Sequence, residues 1–307
     1  MEILKNTSLK YKNWFETGGN SKFYCTPKTE TDFCNSLEFA NKNNLKTFVL
    51  GSGANILISD HGFNGLTIKP ELNQIKINDT LVTAQAGVKI KNLINYSLNN
   101  NLIGLEDFSG IPGTIGGSTY INIHYLNYFL SDFLVQAKVI NKRTCKTIIV
   151  DKSWFNFSYD ESKLQNKDFF LISATFKLKK VDTIQASYAK GRRDEIIKHR
   201  LRKYPNSNTC GSFFRNFKEQ EIPFTINNKK IIYVAYYLDK LGIKGEFKSG
   251  NAIISYKHAN MITTLSGATS TDVINLAKKI QELVIKEFGI LPKAECQLIG
   301  FDKNPLL

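Results

Sequence analysis

Apolar residues recur along the chain with two different periods, which predicts a mixture of helices and strands. A spacing of three or four residues, as in a helix buried on one face, predicts helices over 31–43, 90–98, 234–241 and 271–288. Short alternating or continuous apolar runs predict strands. They cover residues 22–26, 46–50, 66–69, 74–78, 81–86, 135–141, 145–150, 170–178 and 295–299.

The strand at 46–50 runs directly into a turn whose side chains are almost absent, Gly51-Ser52-Gly53-Ala54-Asn55-Ile56. Small side chains leave the backbone N–H groups bare, and a row of bare N–H groups favours an anion such as a nucleotide pyrophosphate. An ordinary tight turn explains a single Gly-x-Gly equally well. Only the apolar pentad 55–59 follows before the chain breaks again, so no crossover helix of a dinucleotide fold fits. A nucleotide at this loop therefore requires another architecture.

A second glycine-rich segment follows the helix predicted over 90–98. It reads Ser109-Gly110-Ile111-Pro112-Gly113-Thr114-Ile115-Gly116-Gly117. The glycines and the proline exclude a helix or a central strand and predict a rigid loop that allows close backbone approach. Because the loop is so apolar, a flat ring fits it better than a phosphate does.

Composition excludes several classes of protein. A chain of 307 residues, 42% of them apolar, can fill two or three globular domains. Neither a basic and then apolar N-terminus nor a run of eighteen apolar residues is present, so we expect a cytoplasmic protein without a membrane partner. The cysteines are odd in number and widely spaced, and the histidines lack ligand spacing, so we expect reduced thiols and no metal site. The cysteines are Cys25, Cys34, Cys145, Cys210 and Cys296.

The formal net charge of +14 favours polyanionic partners. A basic helix is predicted over 190–203 and could form a nucleic-acid-binding face. No aromatic residues interleave with its charges and no groove-reading motif accompanies them, so an exposed helix between domains is the preferred interpretation. We expect no nucleic-acid partner.

Five segments, in this order, resemble motifs of the bacterial UDP-N-acetylenolpyruvoylglucosamine reductases. They are the two glycine loops, Gly211-Ser212-Phe213-Phe214-Arg215-Asn216, His258-Ala259-Asn260-Met261-Ile262 and Glu295-Cys296-Gln297-Leu298-Ile299-Gly300. The resemblance implies an α+β fold: a two-subdomain FAD-binding fold of the PCMH/VAO type over 1–70 and 71–205, then an α+β UDP-sugar domain over 206–307. The chain looks like the shorter form of the family, without its tyrosine-bearing insertion.

By this resemblance, the protein uses FAD, with NADPH as hydride donor, to reduce an enolpyruvyl UDP-sugar to UDP-N-acetylmuramate during peptidoglycan synthesis. Ser212 then gives a proton to C2 of the substrate, and Glu295 is a protonated carboxyl near the enolate. Tyr159, Arg215 and Asn216 are expected to contact the substrate, and a monomer is expected. The implied FAD contacts are Gly51, Ser52, Gly53, Ala54, Asn55, Ile56, Ser109, Gly110, Ile111, Pro112, Gly113, Thr114, Gly116 and Gly117.

Two segments depart from the family pattern. Where the family has Tyr-Arg-x-Ser, this chain has Tyr159-Asp160-Glu161-Ser162, so the arginine that assists the enolate is missing. Lys163 or an arginine of the basic helix is a candidate replacement. The family's Asn-x-Gly-Ala-Tyr-Gly-x-Glu keeps only Asn122 in 122–129. A flavin oxidoreductase with another substrate, a flavin-binding protein without turnover and a nucleic-acid-binding protein stay open as alternatives.

Overall fold

A computed structural model describes residues 1–306 and contains both helices and strands throughout. The α-helices of this described part are α1 (Glu30–Lys42), α2 (Ile90–Asn99), α3 (Ile115–Tyr120), α4 (Thr183–Lys203), α5 (Val234–Lys240) and α6 (Ser270–Phe288). Its strands are β1 (Leu4–Ser8), β2 (Asn20–Cys25), β3 (Lys46–Val49), β4 (Ile56–Ile58), β5 (Phe63–Ile68), β6 (Ile75–Asn78), β7 (Leu81–Gln85), β8 (Leu102–Ile103), β9 (His124–Tyr125), β10 (Tyr128–Phe129), β11 (Leu134–Asn141), β12 (Thr147–Asp151), β13 (Phe169–Lys177), β14 (Lys179–Lys180), β15 (Lys248–Ser249), β16 (Ala252–Ile254), β17 (Ile262–Thr264) and β18 (Gln297–Ile299). The predicted α+β class is confirmed.

Packing divides the chain into two compact units, each assembled from separate segments. Unit 1 consists of Met1–Thr7, Lys22–Ser52 and Asn64–Arg200. Unit 2 consists of Ser8–Ser21, Gly53–Phe63 and the chain from Leu201 onward. The chain thus passes from unit 1 to unit 2 inside the first glycine loop. The division at residues 70 and 205 stays a prediction.

Unit 1 contains most of a four-stranded sheet of order β1-β2-β5-β3 and all of an antiparallel five-stranded sheet of order β12-β11-β13-β7-β6. Helix α1 begins with a capping box in which Thr29 and Asp32 exchange side-chain and backbone hydrogen bonds. Its predicted buried face is confirmed, since Phe33, Leu37 and Ala40 lie in one apolar cluster. The cluster also holds residues from both sheets, so α1 joins the two sheets into one unit.

The second glycine loop is partly helical, contrary to the prediction. Helix α3 starts at Ile115 and includes Gly116 and Gly117. Thr114 caps it, because its hydroxyl accepts a hydrogen bond from the Gly117 N–H at 3.3 Å. A Cβ at Gly116 would lie 3.2 Å from the Ala86 carbonyl oxygen, so glycine here allows the helix to pack tightly against the chain after β7. The cap and this close approach outweigh the low helix propensity of glycine.

Unit 2 is built around α6, which packs against the antiparallel sheet β15-β16-β17. Asp60 adds a second N-terminal cap to α6, accepting hydrogen bonds from the Ser270 and Thr271 N–H groups at 2.8 and 3.0 Å. Burial raises the pKa of Asp60, but the hydrogen bonds from Ser270 and Thr271 outweigh it and leave that pKa lowered. The carboxylate is therefore charged where the helix dipole favours a negative charge.

Two further predicted elements have bounds different from those predicted. Helix α4 was predicted over 190–203 and begins seven residues earlier, at Thr183. The strand predicted over 295–299 is shorter, because the N–H groups of Glu295 and Cys296 both donate to the Phe213 carbonyl rather than to a strand. Strand β18 pairs in parallel with β4, Gln297 lying opposite Ile56. Within residues 1–306, no helix has the length and apolar character needed to cross a membrane.

Candidate active site

The first glycine loop keeps its backbone donors unused. None of the N–H groups from Gly51 to Asn55 donates a hydrogen bond to another part of residues 1–306. The Oδ1 atom of Asn55 is also buried and lacks a partner there. Gly53 has φ +68°, and a Cβ on it would lie 2.6 Å from the Lys12 carbonyl oxygen. Only glycine fits at that position, so the loop combines a fixed shape with several free donors, as an anion site requires.

Unit 1 brings the two glycine loops into contact. A Cβ at Gly51 would lie 2.7 Å from the Thr114 hydroxyl and 3.9 Å from the Gly117 Cα. The first loop therefore lies so close to the capped start of α3 that no residue larger than glycine fits at position 51. The two motifs form one surface, although Gly51 and Thr114 are 63 positions apart in sequence.

Around the second loop the unused groups are hydroxyls rather than backbone amides. The N–H groups of Ile115 and Gly116 donate to the carbonyls of Val88 and Ala86, at 2.8 and 2.9 Å. The start of α3 is therefore not available to a phosphate. Within the described chain, three buried hydroxyls near the loop lack a partner, those of Ser109, Ser118 and Thr119. An apolar loop with a few unpaired hydroxyls suits a flat heteroaromatic ring, so both loops fit a flavin dinucleotide.

Ser212 stands in a turn of unit 2 that is anchored on one side by two buried aromatic residues. Gly211 has φ +82°, a conformation that favours glycine, and a Cβ there would meet nothing within 4 Å. The glycine is thus required by the backbone and not by a close neighbour. Phe213 and Phe214 follow and are fully buried, at 0% and 1% exposure. The serine is therefore carried by a rigid turn, while its own side chain stays partly exposed.

Asn260 fixes this turn and was not among the predicted site residues. Its amide accepts a hydrogen bond from the Phe214 N–H at 3.1 Å and donates one to the Phe214 carbonyl at 2.7 Å. The Asn260 carbonyl accepts from the Phe213 N–H at 2.8 Å. His258 supports Asn260 in turn, since its Nδ1 accepts the Asn260 N–H at 3.2 Å. Burial, together with the charge of Lys203, lowers the pKa of His258, which keeps this acceptor unprotonated near neutral pH.

Glu295 lies on the segment that pairs with the Ser212 turn. The N–H of Glu295 donates to the Phe213 carbonyl at 2.9 Å, and the Arg215 N–H donates to the Lys293 carbonyl at 3.0 Å. Burial raises the pKa of the Cys210 thiol well above its usual value, and Cys296 and Glu295 raise it further. The two residues proposed for catalysis thus lie on directly hydrogen-bonded segments, although they are 83 positions apart in sequence.

The two segments that depart from the family pattern meet in unit 1. His124 Nδ1 lies 3.4 Å from Asp160 Oδ1, and the rings of His124 and Tyr159 are 4.4 Å apart between centroids. Asn122 joins the same region, because its amide accepts from the Ser131 N–H and donates to the Ser158 carbonyl. Burial lowers the pKa of His124. A neutral imidazole beside Asp160 does not supply the positive charge of the missing arginine.

The two candidate replacements for that arginine occupy different places. Lys163 Nζ lies 4.5 Å from the centroid of the Trp154 ring. The Arg200 guanidinium carbon instead lies 5.3 Å from the centroid of the Tyr125 ring. A Cβ on Gly110 would lie 3.0 Å from Arg200 Cδ, so this arginine covers the second glycine loop. Arg200 is therefore an arginine of α4 that lies against the second glycine loop, at Gly110.

Other arginines of α4 are used within unit 1. Arg192 donates to both oxygens of Asp107, at 2.7 and 2.9 Å, and Arg193 donates to the Asn95 amide oxygen at 2.9 Å. Such contacts leave these side chains oriented toward the protein. They favour the interpretation of α4 as a structural helix over that of a nucleic-acid-binding face.

The predicted substrate contacts next to Ser212 already have protein partners. Arg215 makes a two-point contact with Glu221, at 2.8 and 2.7 Å, and its Nη1 also donates to the Asn216 carbonyl. The contact with Arg215 lowers the pKa of Glu221 strongly. The Asn216 amide oxygen accepts from the Val234 N–H at 3.3 Å. Both residues therefore shape the turn, and their contact with the substrate stays a prediction.

Known proteins agree with this geometry in sequence and in fold. A family model described as an FAD binding domain matches residues 21–149, and one described as the UDP-N-acetylenolpyruvoylglucosamine reductase C-terminal domain matches residues 203–299. The UDP-N-acetylenolpyruvoylglucosamine reductase of Clostridium botulinum strain Okra is 30% identical over 98% of this chain and 94% of its own. That of Chloroherpeton thalassium is 32% identical over 99% of this chain and 95% of its own.

A solved structure shows the same fold. The crystal structure of UDP-N-acetylenolpyruvylglucosamine reductase from Thermus caldophilus superposes with a TM-score of 0.78 at 23% identity, covering 97% of this chain and 98% of that one. The expected FAD-binding fold followed by a C-terminal domain is therefore confirmed. With matches over nearly its whole length, the chain belongs to the UDP-N-acetylenolpyruvoylglucosamine reductase family, and its cofactor is FAD.

Proposed function

We propose that the protein reduces UDP-N-acetylglucosamine enolpyruvate to UDP-N-acetylmuramate in the cytoplasm, with NADPH as the source of electrons. The observation that carries this proposal is the hydrogen bond from the Glu295 N–H to the Phe213 carbonyl, 2.9 Å long. It joins the segment bearing a carboxyl to the turn bearing the Ser212 hydroxyl. A turn that bears a hydroxyl, joined to a segment that bears a carboxyl, matches the needs of a reaction that forms and then protonates an enolate.

The two glycine loops are proposed to hold the cofactor. The free N–H groups from Gly51 to Asn55 would bind the pyrophosphate, and the surface around Thr114 would receive the flavin ring with the nearby unpaired hydroxyls. When bound, FAD supplies hydride chemistry, taking a hydride from NADPH and giving it to C3 of the enolpyruvyl group. The protein's own task is to hold this ring in one place and exclude water from it.

Ser212 and Glu295 are proposed to handle the charge and the proton that the substrate then requires. Hydride arrival at C3 leaves negative charge at C2, spread into the neighbouring carboxylate. Glu295 in its protonated form would donate a hydrogen bond to this enolate, and the Ser212 hydroxyl would give its proton to C2. Tyr159, Arg215 and Asn216 are proposed to hold the UDP-sugar. A monomer suffices for all these roles.

Rapid mixing of the purified protein tests the proposal in two separate steps. NADPH alone should bleach the flavin absorbance, and the enolpyruvyl UDP-sugar, added without oxygen, should restore it within seconds. Bleaching without recovery would support a flavin oxidoreductase with another substrate or a flavin-binding protein without turnover. A colourless protein that binds DNA at moderate salt would support the nucleic-acid alternative. Product identity is checked by mass spectrometry of the UDP-sugar.

Arg200 is proposed to replace the family arginine missing at Asp160. Its support is the approach of Arg200 Cδ to Gly110, where a Cβ would lie at 3.0 Å, while Lys163 is placed against Trp154. We expect Arg200→Ala to slow recovery of the flavin absorbance by about 10- to 100-fold, the loss of one charge-assisted hydrogen bond of about 1.5 to 3 kcal/mol. Reduction by NADPH should change much less.

The matched control is Arg202→Ala, two positions along the same helix, where the side chain is exposed. It lowers the net charge equally and should leave both steps near the wild-type rates. Equal slowing by both substitutions would assign the effect to the general field of the basic helix. No slowing by Arg200→Ala would remove Arg200 from the mechanism.

A further inference from the structure

We propose that Cys34, Glu38 and Cys145 form a binding site for one thiophilic divalent cation of the zinc class. One ligand atom from each of these residues, two sulfurs and one carboxylate oxygen, lies within 4.8 Å of the other two. All three residues belong to unit 1, and none of them takes part in the proposed reduction. The site is separate from the glycine loops and from the Ser212 turn.

Two elements bring the ligands together. Cys34 and Glu38 are four positions apart on α1, so they project from the same face of the helix. Cys145 comes from the turn between β11 and β12, where it has φ +56°. The Cys145 thiol points at α1, donating to the Cys34 carbonyl at 3.7 Å, and the Cys34 thiol donates to Glu38 Oε1 at 3.5 Å. The three ligand atoms therefore already lie around a common space.

The turn that carries Cys145 is held in place independently of the thiols. The Asn41 side chain, also on α1, donates to the carbonyls of Lys142 and Arg143, at 3.0 and 3.3 Å. The Asn141 side chain accepts from the N–H groups of Arg143 and Thr144 and closes the turn. Cation binding would thus need small side-chain adjustments and no movement of the backbone.

The ligand chemistry selects the class of cation. Zn²⁺ binds thiolate sulfur at about 2.3 Å and carboxylate oxygen at about 2.0 to 2.2 Å in a tetrahedral arrangement, so two ligand atoms of one ion lie roughly 3.5 to 3.8 Å apart. The Cys34 thiol and Glu38 Oε1, 3.5 Å apart, already have this spacing. The other separations, all within 4.8 Å, reach it when the side chains close by about 1 Å. Two sulfurs exclude Mg²⁺ and Ca²⁺, which prefer oxygen ligands. Because Glu38 is exposed, a water molecule can fill the fourth position.

Cadmium is a suitable probe, because its bonds to thiolates absorb in the ultraviolet. The FAD-loaded protein, reduced and freed of metal by a chelator, is titrated with CdCl₂. We expect the charge-transfer band to saturate at one Cd²⁺ per chain and Zn²⁺ to displace it. Cys34→Ser and Cys145→Ser should each weaken binding by on the order of a hundredfold, and Glu38→Gln by roughly tenfold, since each removes one ligand.

The control is Cys210→Ala, because Cys210 and Cys296 form a second close thiol pair among the described residues. It should leave the cadmium affinity unchanged. A band that survives in the Cys34 and Cys145 variants and disappears in the Cys210 variant would overturn the proposal, as would no saturable band in the wild type. A disulfide between Cys34 and Cys145 in the isolated protein would overturn it as well. Because Glu38 is exposed, Glu38→Gln should fold normally, so it still tests the proposal if a cysteine variant folds poorly.

Discussion

Ser212→Ala is expected to slow recovery of the flavin absorbance by the enolpyruvyl substrate severely, while NADPH still bleaches the flavin at the wild-type rate. General acid catalysis by a positioned group is worth about 10²- to 10⁴-fold, so the second step should slow by that factor. The two steps are expected to respond differently because Ser212 lies in unit 2, whereas Thr114 and the unpaired hydroxyls of Ser109, Ser118 and Thr119, which are proposed to receive the flavin ring, belong to unit 1. Stopped-flow absorbance with each reactant added in turn measures both steps.

Two further variants make this result specific. Ser207→Ala removes an exposed hydroxyl five positions earlier and should leave both steps unchanged. Glu295→Gln keeps the shape and a hydrogen-bond donor but cannot release a proton, so it should slow the second step less than Ser212→Ala does. Rapid recovery of the flavin absorbance in Ser212→Ala would contradict the role of this serine as proton donor. Full turnover in Glu295→Gln would contradict the role of the carboxyl beside the enolate.

Asn260→Ala is expected to destabilise unit 2 by about 2 to 5 kcal/mol, because it leaves the buried N–H and carbonyl of Phe214 without partners. The Ser212 turn would lose its support at the same time. We therefore expect slower recovery of the flavin absorbance by the substrate, with bleaching by NADPH unchanged. Urea unfolding in a Trp154→Phe background reports on unit 2, since Trp14 is then the only tryptophan left.

Asn275→Ala provides the matched control for this substitution. Asn275 lies on the exposed face of α6 in the same unit, so its loss should change the free energy of unfolding by less than about 0.5 kcal/mol. If Asn260→Ala unfolds at the same urea concentration as Asn275→Ala, the amide does not support the turn. If stability falls but recovery of the flavin is unaffected, Asn260 is structural only.

The sequence predicted best those elements whose signal is local. Helices α1, α2 and α6 each show an apolar face at helical spacing, and their predicted bounds agree with the structure to within one residue or so. Helix α3 was missed because its glycines disfavour a helix, whereas the Thr114 cap and the close approach to Ala86 stabilise one. Propensity alone does not include such tertiary contacts.

Pairings between distant residues were not visible in the sequence. Asn260 belongs to one of the motifs, but its role depends on Phe214, 46 positions away. The cluster of Cys34, Glu38 and Cys145 joins α1 to a turn 111 positions later, so no short ligand spacing in the sequence predicts it. Arg215 is expected from its motif to contact the substrate, yet its guanidinium donates hydrogen bonds to both carboxylate oxygens of Glu221. Motifs identify which residues matter, while the partners of those residues come only from the fold.

The discontinuous make-up of unit 2 has a consequence for how the protein is made. Strand β4 leaves the ribosome long before β18, its parallel partner. Phe15 and Leu57 are likewise synthesised long before most of the residues of their apolar cluster. Nascent chains must therefore carry these apolar groups uncovered until the last segment is translated, which lengthens their exposure to aggregation. For the same reason, a fragment starting near residue 203 would lack β4 and part of its own interior.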